Sequence, residues 1–198
     1  VDLCEPDGKL NDDAVGWSRN PLHYCNLSGN WPRKKKWNYW AVTCDRFVFS
    51  ATIADIDYLG LVSVYFIDFE KKESFEMTVP VPLAFGLDMG PEVIDDAAFS
   101  SRRLSVSMKH TGDGVRIAAS SRAVGSARFE ADVFIRQPEG HETLNVVVPW
   151  NRSTFQFTSK QNTMPAEGTV KVGAKTYTFD PGDSFGCLDF GRGIWPYN

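Results

Sequence analysis

Few signatures of known chemistry occur in this sequence. Its three histidines, His23, His110 and His141, are isolated, with no nucleophile motif beside them and no metal-ligand spacing. His110, next to a glycine-rich turn, is expected to be exposed, and His141, after Pro138-Glu139-Gly140, is a weak acid–base candidate. Cysteine is equally sparse: Cys4, Cys25, Cys44 and Cys187 form no C-x-x-C pair and have no histidine at zinc spacing, so no metal site is predicted. The four read as reduced thiols held by burial; two disulfides are the alternative that an even count permits. The sequence has neither a glycine-rich phosphate loop nor a nucleophile elbow, and no cofactor is expected. No apolar run approaches the roughly 18 residues of a membrane helix, and no basic-then-apolar leader opens the chain. The expectation is a protein without a membrane span, located in the cytoplasm. Positive charge is also in short supply: Lys+Arg 21 against Asp+Glu 25 gives net charge −4, without the surplus that a dedicated nucleic-acid binder uses to release counterions.

What the chain does have is length and aromatic rings. Its 198 residues allow a sizeable core, and 42% hydrophobic with 23% charged residues is the composition of an ordinary globular protein. Aromatic residues reach 13%, with 6 Trp and 14 Phe, which points to strands around an aromatic core or an aromatic-lined pocket.

Residues 1–36 carry Pro6, Gly8, Gly16, Pro21, Gly29 and Pro32 among few apolar runs, and read as an irregular lead-in. The β-pattern begins at Trp37. Runs rich in Val, Ile, Thr, Phe and Tyr recur at 37–44, 47–56, 58–69, 74–79, 104–108, 115–120, 127–135, 143–148, 154–158, 168–172, 175–179 and 184–190. Short turns such as Asp45-Arg46, Lys71-Lys72, Thr111-Gly112-Asp113-Gly114, Gly173-Ala174 and Pro181-Gly182-Asp183 join them, so consecutive strands are expected to pair antiparallel. The only helical candidate, 91–98 (PEVIDDAA), is too short to stand alone. About a dozen strands must stack as two sheets or close into a barrel. The alternation of Phe155 and Phe157 against Thr154, Gln156 and Thr158 favours a barrel or strongly curved sheet around an interior.

Four groupings could carry a site. Arg33-Lys34-Lys35-Lys36, between Trp31 and Trp37, is either a solvated strand start that discourages edge pairing or a trap for a carboxylate or phosphate. Asp55 and Asp57 share one face of an apolar run at period two; they either face solvent and cap a turn, or sit desolvated as acids. Along 145–162 (NVVVPWNRSTFQFTSKQN), Gln156, Thr158 and Lys160 share a face, and Lys160 is either a surface cation or, turned inward, an oxyanion anchor or Schiff-base amine. In the closing DFGRGIWPY (189–197), glycines permit close backbone approach while Arg192 pairs a carboxylate or stacks on a ring; an internal Asp189–Arg192 tether and a ligand clamp are both open.

The segments RKKKWNYWAVT (33–43), ATIADIDYLGLVSVYFID (51–68), ETLNVVVPW (142–150), FQFTSKQN (155–162) and LDFGRGIWPYN (188–198) resemble, over essentially the whole chain, the uncharacterised bacterial DUF2804 family. The resemblance implies a longer protein in which a second β-rich half follows the GRG-x-WPY motif, making this sequence the first half of a two-barrel protein. Val1 without an initiator Met and the dense closing motif agree with a chain cut at both ends. No reaction comes with the family. Its build is similar to that of AttH and carotenoid-hydratase proteins, which pair two lipocalin-like barrels. By that analogy, water addition to an alkene or an isomerisation would need a carboxylic acid in a dry pocket, with Asp55, Asp57 and Asp189 as candidates; no catalytic residue is carried over.

The resulting expectation is a mostly β protein, an antiparallel lipocalin-like barrel or strongly curved sheet over 37–198, that holds a small, largely apolar molecule. Trp40, Trp150 and Trp195 would line the cavity or its mouth, and Asp55, Asp57, Asn145, Gln156, Lys160, Asp189 and Arg192 would supply polar contacts. Two alternatives stand beside it. One is a hydratase-like lyase or isomerase acting on an isoprenoid or polyketide-like substrate; the other is a structural module without ligand space, packed on the second half.

Overall fold

The computed structural model describes residues 1–122 and 127–197. Period-two alternation dictates its strands: in 59–68, Val62, Val64 and Phe66 are buried between half-exposed neighbours, and in 114–121, Val115, Ile117 and Ala119 alternate with exposed Arg116, Ala118 and Ser120. A 3-10 turn at Asp12–Ala14 is followed by β1 (Gly16–Ser18), β2 (Lys34–Thr43), β3 (Phe47–Asp55), β4 (Leu59–Asp68), β5 (Glu73–Pro82), β6 (Asp88–Met89) and β7 (Ala97–Ser100). Then come β8 (Leu104–Thr111), β9 (Gly114–Ser121), β10 (Phe129–Arg136), β11 (Leu144–Asn151), β12 (Thr154–Val172), β13 (Lys175–Phe179) and β14 (Phe185–Ile194).

All strand pairings are antiparallel, and the spatial order is β5-β4-β3-β2-β14-β12-β10-β9-β8-β7-β6, with β1 added to β11 and with β11 and β13 added to β12. The 19-residue β12 joins the two parts: residues 154–161 pair with β11 and β14, and residues 166–172 pair with β10 and β13. Its ladder to β14 shifts between Gln161 and Met164, where Thr163 takes φ +57°. At Gly168, φ is +137°, and a Cβ would lie 2.3 Å from the Asp132 carbonyl oxygen, so only glycine lets β12 pass this close to β10. Irregularities of this kind bend a strand and increase its twist. The outcome is a strongly curled half-barrel, open between β5 and β6, rather than a closed barrel.

Its concave face is packed with rings. Phe47 meets Phe66, Tyr177 and Phe179 with centroids 4.8–5.9 Å apart, and Phe129 lies between Phe49 (6.0 Å) and Phe75 (4.8 Å, stacked). These pairs bridge β3, β4 and β5 to β10 and β13, and each fully buried ring contributes about 1.5–3 kcal/mol.

Several local expectations change. β2 starts at Lys34 and sits inside the sheet, so the basic run does not guard an edge. The runs 154–158 and 168–172 belong to one strand, β12. β13 and β14 are joined by a tight turn yet pair with β12 instead of each other, because the curl puts them on different lengths of it. Residues 91–98 form no helix; Asp95 Oδ2 accepts from the Glu92 N–H (2.7 Å) in a turn, and 97–98 enter β7. The lead-in contributes Leu3, Cys4, Leu10, Ala14 and Cys25 to the core, and the Asn26 amide bonds both backbone groups of Cys4 (2.7 and 2.8 Å). All four cysteines are free, Cys4 and Cys25 buried and Cys44 and Cys187 half-buried.

Candidate functional site

Strand parity also places a polar cluster. On β8, Leu104, Val106 and Met108 point inward and His110 is next in phase; on β12, Phe155, Phe157 and Ser159 point inward and Gln161 follows. On β2, Trp40 lies between Asn38 and Val42 on the same face. These side chains meet at one end of the concave face, where the 137–143 connection and Asn20-Pro21 of the lead-in complete a cavity of about 420 Å³. Ile94 and Val115 add apolar wall, and among the described residues no Asp, Glu, Lys or Arg lines it. The volume falls within the roughly 300–1,000 Å³ of small-molecule sites. A wider cleft of about 730 Å³ near Arg102-Arg103 is lined by serines and arginines.

Trp40 is 2% exposed, and its ring lies 6.2 Å from that of His110. Among the described residues, Trp40 Nε1, His110 Nδ1 and His141 Nε2 are buried without a hydrogen-bond partner. Each such group costs about 1–3 kcal/mol of desolvation. Burial pulls the His110 imidazole below its usual pKa, outweighing the Asp96 charge and the Asp95 carbonyl that act in the other direction. The ring is therefore neutral at pH 7, with one nitrogen to donate and one to accept. Its main-chain N–H donates to Asp96 Oδ1 at 2.8 Å.

A second polar layer lies behind. The Thr143 N–H and hydroxyl both donate to the Arg19 carbonyl (2.8 and 3.1 Å), and Asn145 Nδ2 donates to Thr143 Oγ1 (2.7 Å) and the Ser18 carbonyl (3.2 Å). Asn145 stands opposite Ser159 across the β11–β12 ladder.

The sequence matches one family over residues 1–198. The chain belongs to the DUF2804 family, a domain of unknown function. No protein of curated function matches it. Kievitone hydratase from Nectria haematococca overlays with TM-score 0.48 and 12% identity, over 81% of this chain and 48% of that one. A putative AttH from Nitrosomonas europaea overlays with TM-score 0.48 and 10% identity, over 86% and 54%. The DUF2804 chain thus spans about half the length of either solved structure.

The ten candidate residues of this DUF2804 domain fall in four places. Trp40 lines the cavity, and Asn145 bonds Thr143 in its wall. Asp55 and Asp57 cap the β3–β4 turn, where Asp55 Oδ1 accepts from the Asp57 N–H (2.7 Å) and φ at Asp57 is +80°. Their carboxylates hold Lys36 (3.1 Å) and Lys34 (3.0 Å). Lys35, 8% exposed, lies between the rings of Tyr58 and Tyr197, so the basic run is occupied by its own neighbours.

Gln156, Lys160, Asp189, Trp150 and Trp195 gather on the opposite, convex face. There Lys160 pairs with Asp189, Trp37 Nε1 donates to Asp189 Oδ1 (2.9 Å), and Trp195 Nε1 donates to Gln156 Oε1 (2.6 Å). Trp195 sits edge-on to both Trp37 and Trp150. Gly191 makes room for this layer, since a Cβ there would lie 2.1 Å from Trp37 Cζ2. Arg192 turns the other way, as strand alternation requires of residues three apart, so no Asp189–Arg192 tether forms.

Sequence reasoning passed over His110, Gln161 and Thr143. His110 is half-buried rather than exposed, because the strand runs through to Thr111 and keeps it in phase with Met108. Extending the parity of LSVSMKH and FQFTSKQ by one step would have found His110 and Gln161. Nothing local marks Thr143, whose position depends on Arg19.

Proposed function

We propose that this DUF2804 domain holds a small, largely apolar molecule in the cavity walled by Trp40, His110 and His141. The observation that carries this reading is the cavity itself, about 420 Å³, with Trp40, Ile94 and Val115 as apolar wall, a few polar side chains and, among the described residues, no charged one. In the full-length protein a second β-rich half would accompany this one.

Gly112 supplies a test. It lines the cavity, and a Cβ added to it meets nothing within 4 Å, so Gly112→Trp adds a large ring beside the mouth without disturbing the core. Native mass spectrometry of the protein purified from its own host is expected to show a bound small molecule that Gly112→Trp loses while its melting temperature is kept. A bound species retained in full by Gly112→Trp would place the ligand elsewhere.

A second reading, proton transfer of the lyase or isomerase kind, is favoured by the neutral His110 imidazole beside Trp40. Asp55, Asp57 and Asp189 lie outside the cavity, so His110 would carry the proton. Turnover of the identified ligand that survives His110→Phe would remove this reading.

A further inference from the structure

Most arginines of this chain are already occupied. Acids outnumber bases, 25 against 21, and Arg19, Arg46, Arg116, Arg136 and Arg152 each pair with a carboxylate. Arg192 is buried among neutral partners, and Arg33 lies over the Tyr197 ring. The other four, Arg102, Arg103, Arg122 and Arg128, line the cleft of about 730 Å³ together with serines, and among the described residues no Asp or Glu lines it. Arg128 pairs with Glu130 (2.5 Å), whereas Arg102, Arg103 and Arg122 pair with no carboxylate among the described residues. The sequence between Arg122 and Arg128 contains no acid. Like charges gathered this closely repel, and a bound anion relieves that repulsion.

Strand register gathers these side chains. Leu104 stands opposite Ser121 on the β8–β9 ladder, which sets the β7–β8 turn beside Arg122, and the Arg122 N–H donates to the Arg103 carbonyl (3.4 Å). Ser101 Oγ accepts from the N–H groups of Arg103 (3.2 Å) and Leu104 (3.1 Å), so the turn that carries Arg102 and Arg103 is fixed at its backbone. Ser105 stands opposite both Ser100 and Ser120, which lays a row of hydroxyls along the same cleft.

We infer that this cleft is a second binding site, one that takes a phosphate or pyrophosphate group. Guanidinium forks match phosphate oxygens two at a time, and serine hydroxyls donate to the lone pairs that remain. Three cations without a carboxylate favour an anion of two or more charges over a monocarboxylate. The arginines are exposed, so each contact is weak, and affinity comes from their number and falls as salt rises. The cleft shares no lining residue with the Trp40 cavity, so this site stands or falls separately from the binding reading above.

Isothermal titration of sodium pyrophosphate and of sodium acetate at low salt tests this. Pyrophosphate is expected to bind at least about tenfold more tightly than acetate, to weaken as salt is raised, and to bind Gly112→Trp as it binds the parent. Arg103→Gln combined with Arg122→Gln should weaken pyrophosphate roughly twofold to thirtyfold, the effect of two exposed ion contacts, with the melting temperature kept. Arg102→Gln alone should act in the same direction and serves if the double variant fails to fold. Arg116→Gln combined with Arg136→Gln removes the same charge from arginines that already hold carboxylates, and should leave binding within about twofold of the parent. Sedimentation with phosphatidylcholine vesicles, with and without phosphatidate, separates the sources of the phosphate. Phosphatidate-dependent binding that Arg103→Gln with Arg122→Gln loses assigns it to a lipid headgroup; arginine-dependent binding of pyrophosphate without it assigns it to a soluble ester. Equal affinity for pyrophosphate and acetate, equal losses in the two double variants, or no arginine-dependent binding in either arm overturns the inference.

Discussion

Arg192 on β14 reaches Asn38 on β2, its Nη2 donating to Asn38 Oδ1 at 2.8 Å and its guanidinium lying 3.8 Å from the Phe190 ring centroid, with 1% of the residue exposed. The other bonds go to the carbonyls of Trp37, Gly191 and Gly90 at 2.9–3.0 Å, so every partner is neutral. Burial draws the guanidinium down to about 10, which still leaves it charged at pH 7. Arg192 thereby ties the sheet to the β6–β7 turn.

Breaking that tie should be expensive. Asn38→Ala leaves Nη2 with a single acceptor and is expected to cost about 1–3 kcal/mol. Arg192→Ala also removes the stack on Phe190 and strands Asn38, and should cost about 3 kcal/mol or more. Urea denaturation of both variants measures this; an Arg192→Ala midpoint equal to that of the parent would mean the clasp contributes nothing.

Acid should weaken the fold in a window set by two histidines. Burial holds the His23 and His110 imidazoles below the ordinary 6.5. Below about 6.5 the unfolded chain therefore binds more protons than the folded one. Stability is constant above that value and falls as pH drops through it, levelling beneath the folded-state values. Asp7 and Asp68, held low by hydrogen bonds from Lys9 and Lys71, lose their contribution only as pH falls from 3.8, so the two windows are separate. Urea midpoints at pH 7.5, 6.5 and 5.5 read the first window, and a flat profile would contradict it.

The thiols should divide by depth. Burial pushes Cys25 up to about 12 and Cys4 up to about 11, leaving almost no thiolate at pH 8. Iodoacetamide followed by peptide mapping should label half-buried Cys44 first in the native protein, with Cys4 and Cys25 reacting only in denaturant.

Two glycines should differ sharply in their tolerance of a methyl group. Gly191→Ala drives a Cβ against Trp37 and should cost about 1–3 kcal/mol, whereas Gly112→Ala meets open space and should stay within about 0.5 kcal/mol of the parent. Thermal melting of the pair decides it, and equal melting temperatures would show that Trp37 yields without cost.

Elements whose information is local were legible in the sequence. The runs at 47–56, 58–69 and 175–179 became strands with little change, because alternation and short turns encode pairing between neighbours. The separation of runs 154–158 and 168–172 was misleading: between them lie Thr163 at positive φ and Pro165, residues that usually interrupt a strand, yet partners on both sides keep β12 continuous. The pattern of Asp55 and Asp57, two carboxylates on an apolar run, is legible in the sequence, but the lysines that occupy them come from a strand about 20 residues earlier.

By itself the sequence determined the β class, the hairpin order on either side of β12 and the inward parity of Trp40, His110 and Gln161, since these follow from a two-residue period and from turn chemistry. Only the tertiary structure decided that those three residues share a cavity while Trp150, Trp195, Lys160 and Asp189 cover the outside. Which face of a strand meets which other strand depends on the curl of the whole sheet, and that curl comes from close approaches such as Gly168 to Asp132, between residues far apart in the chain.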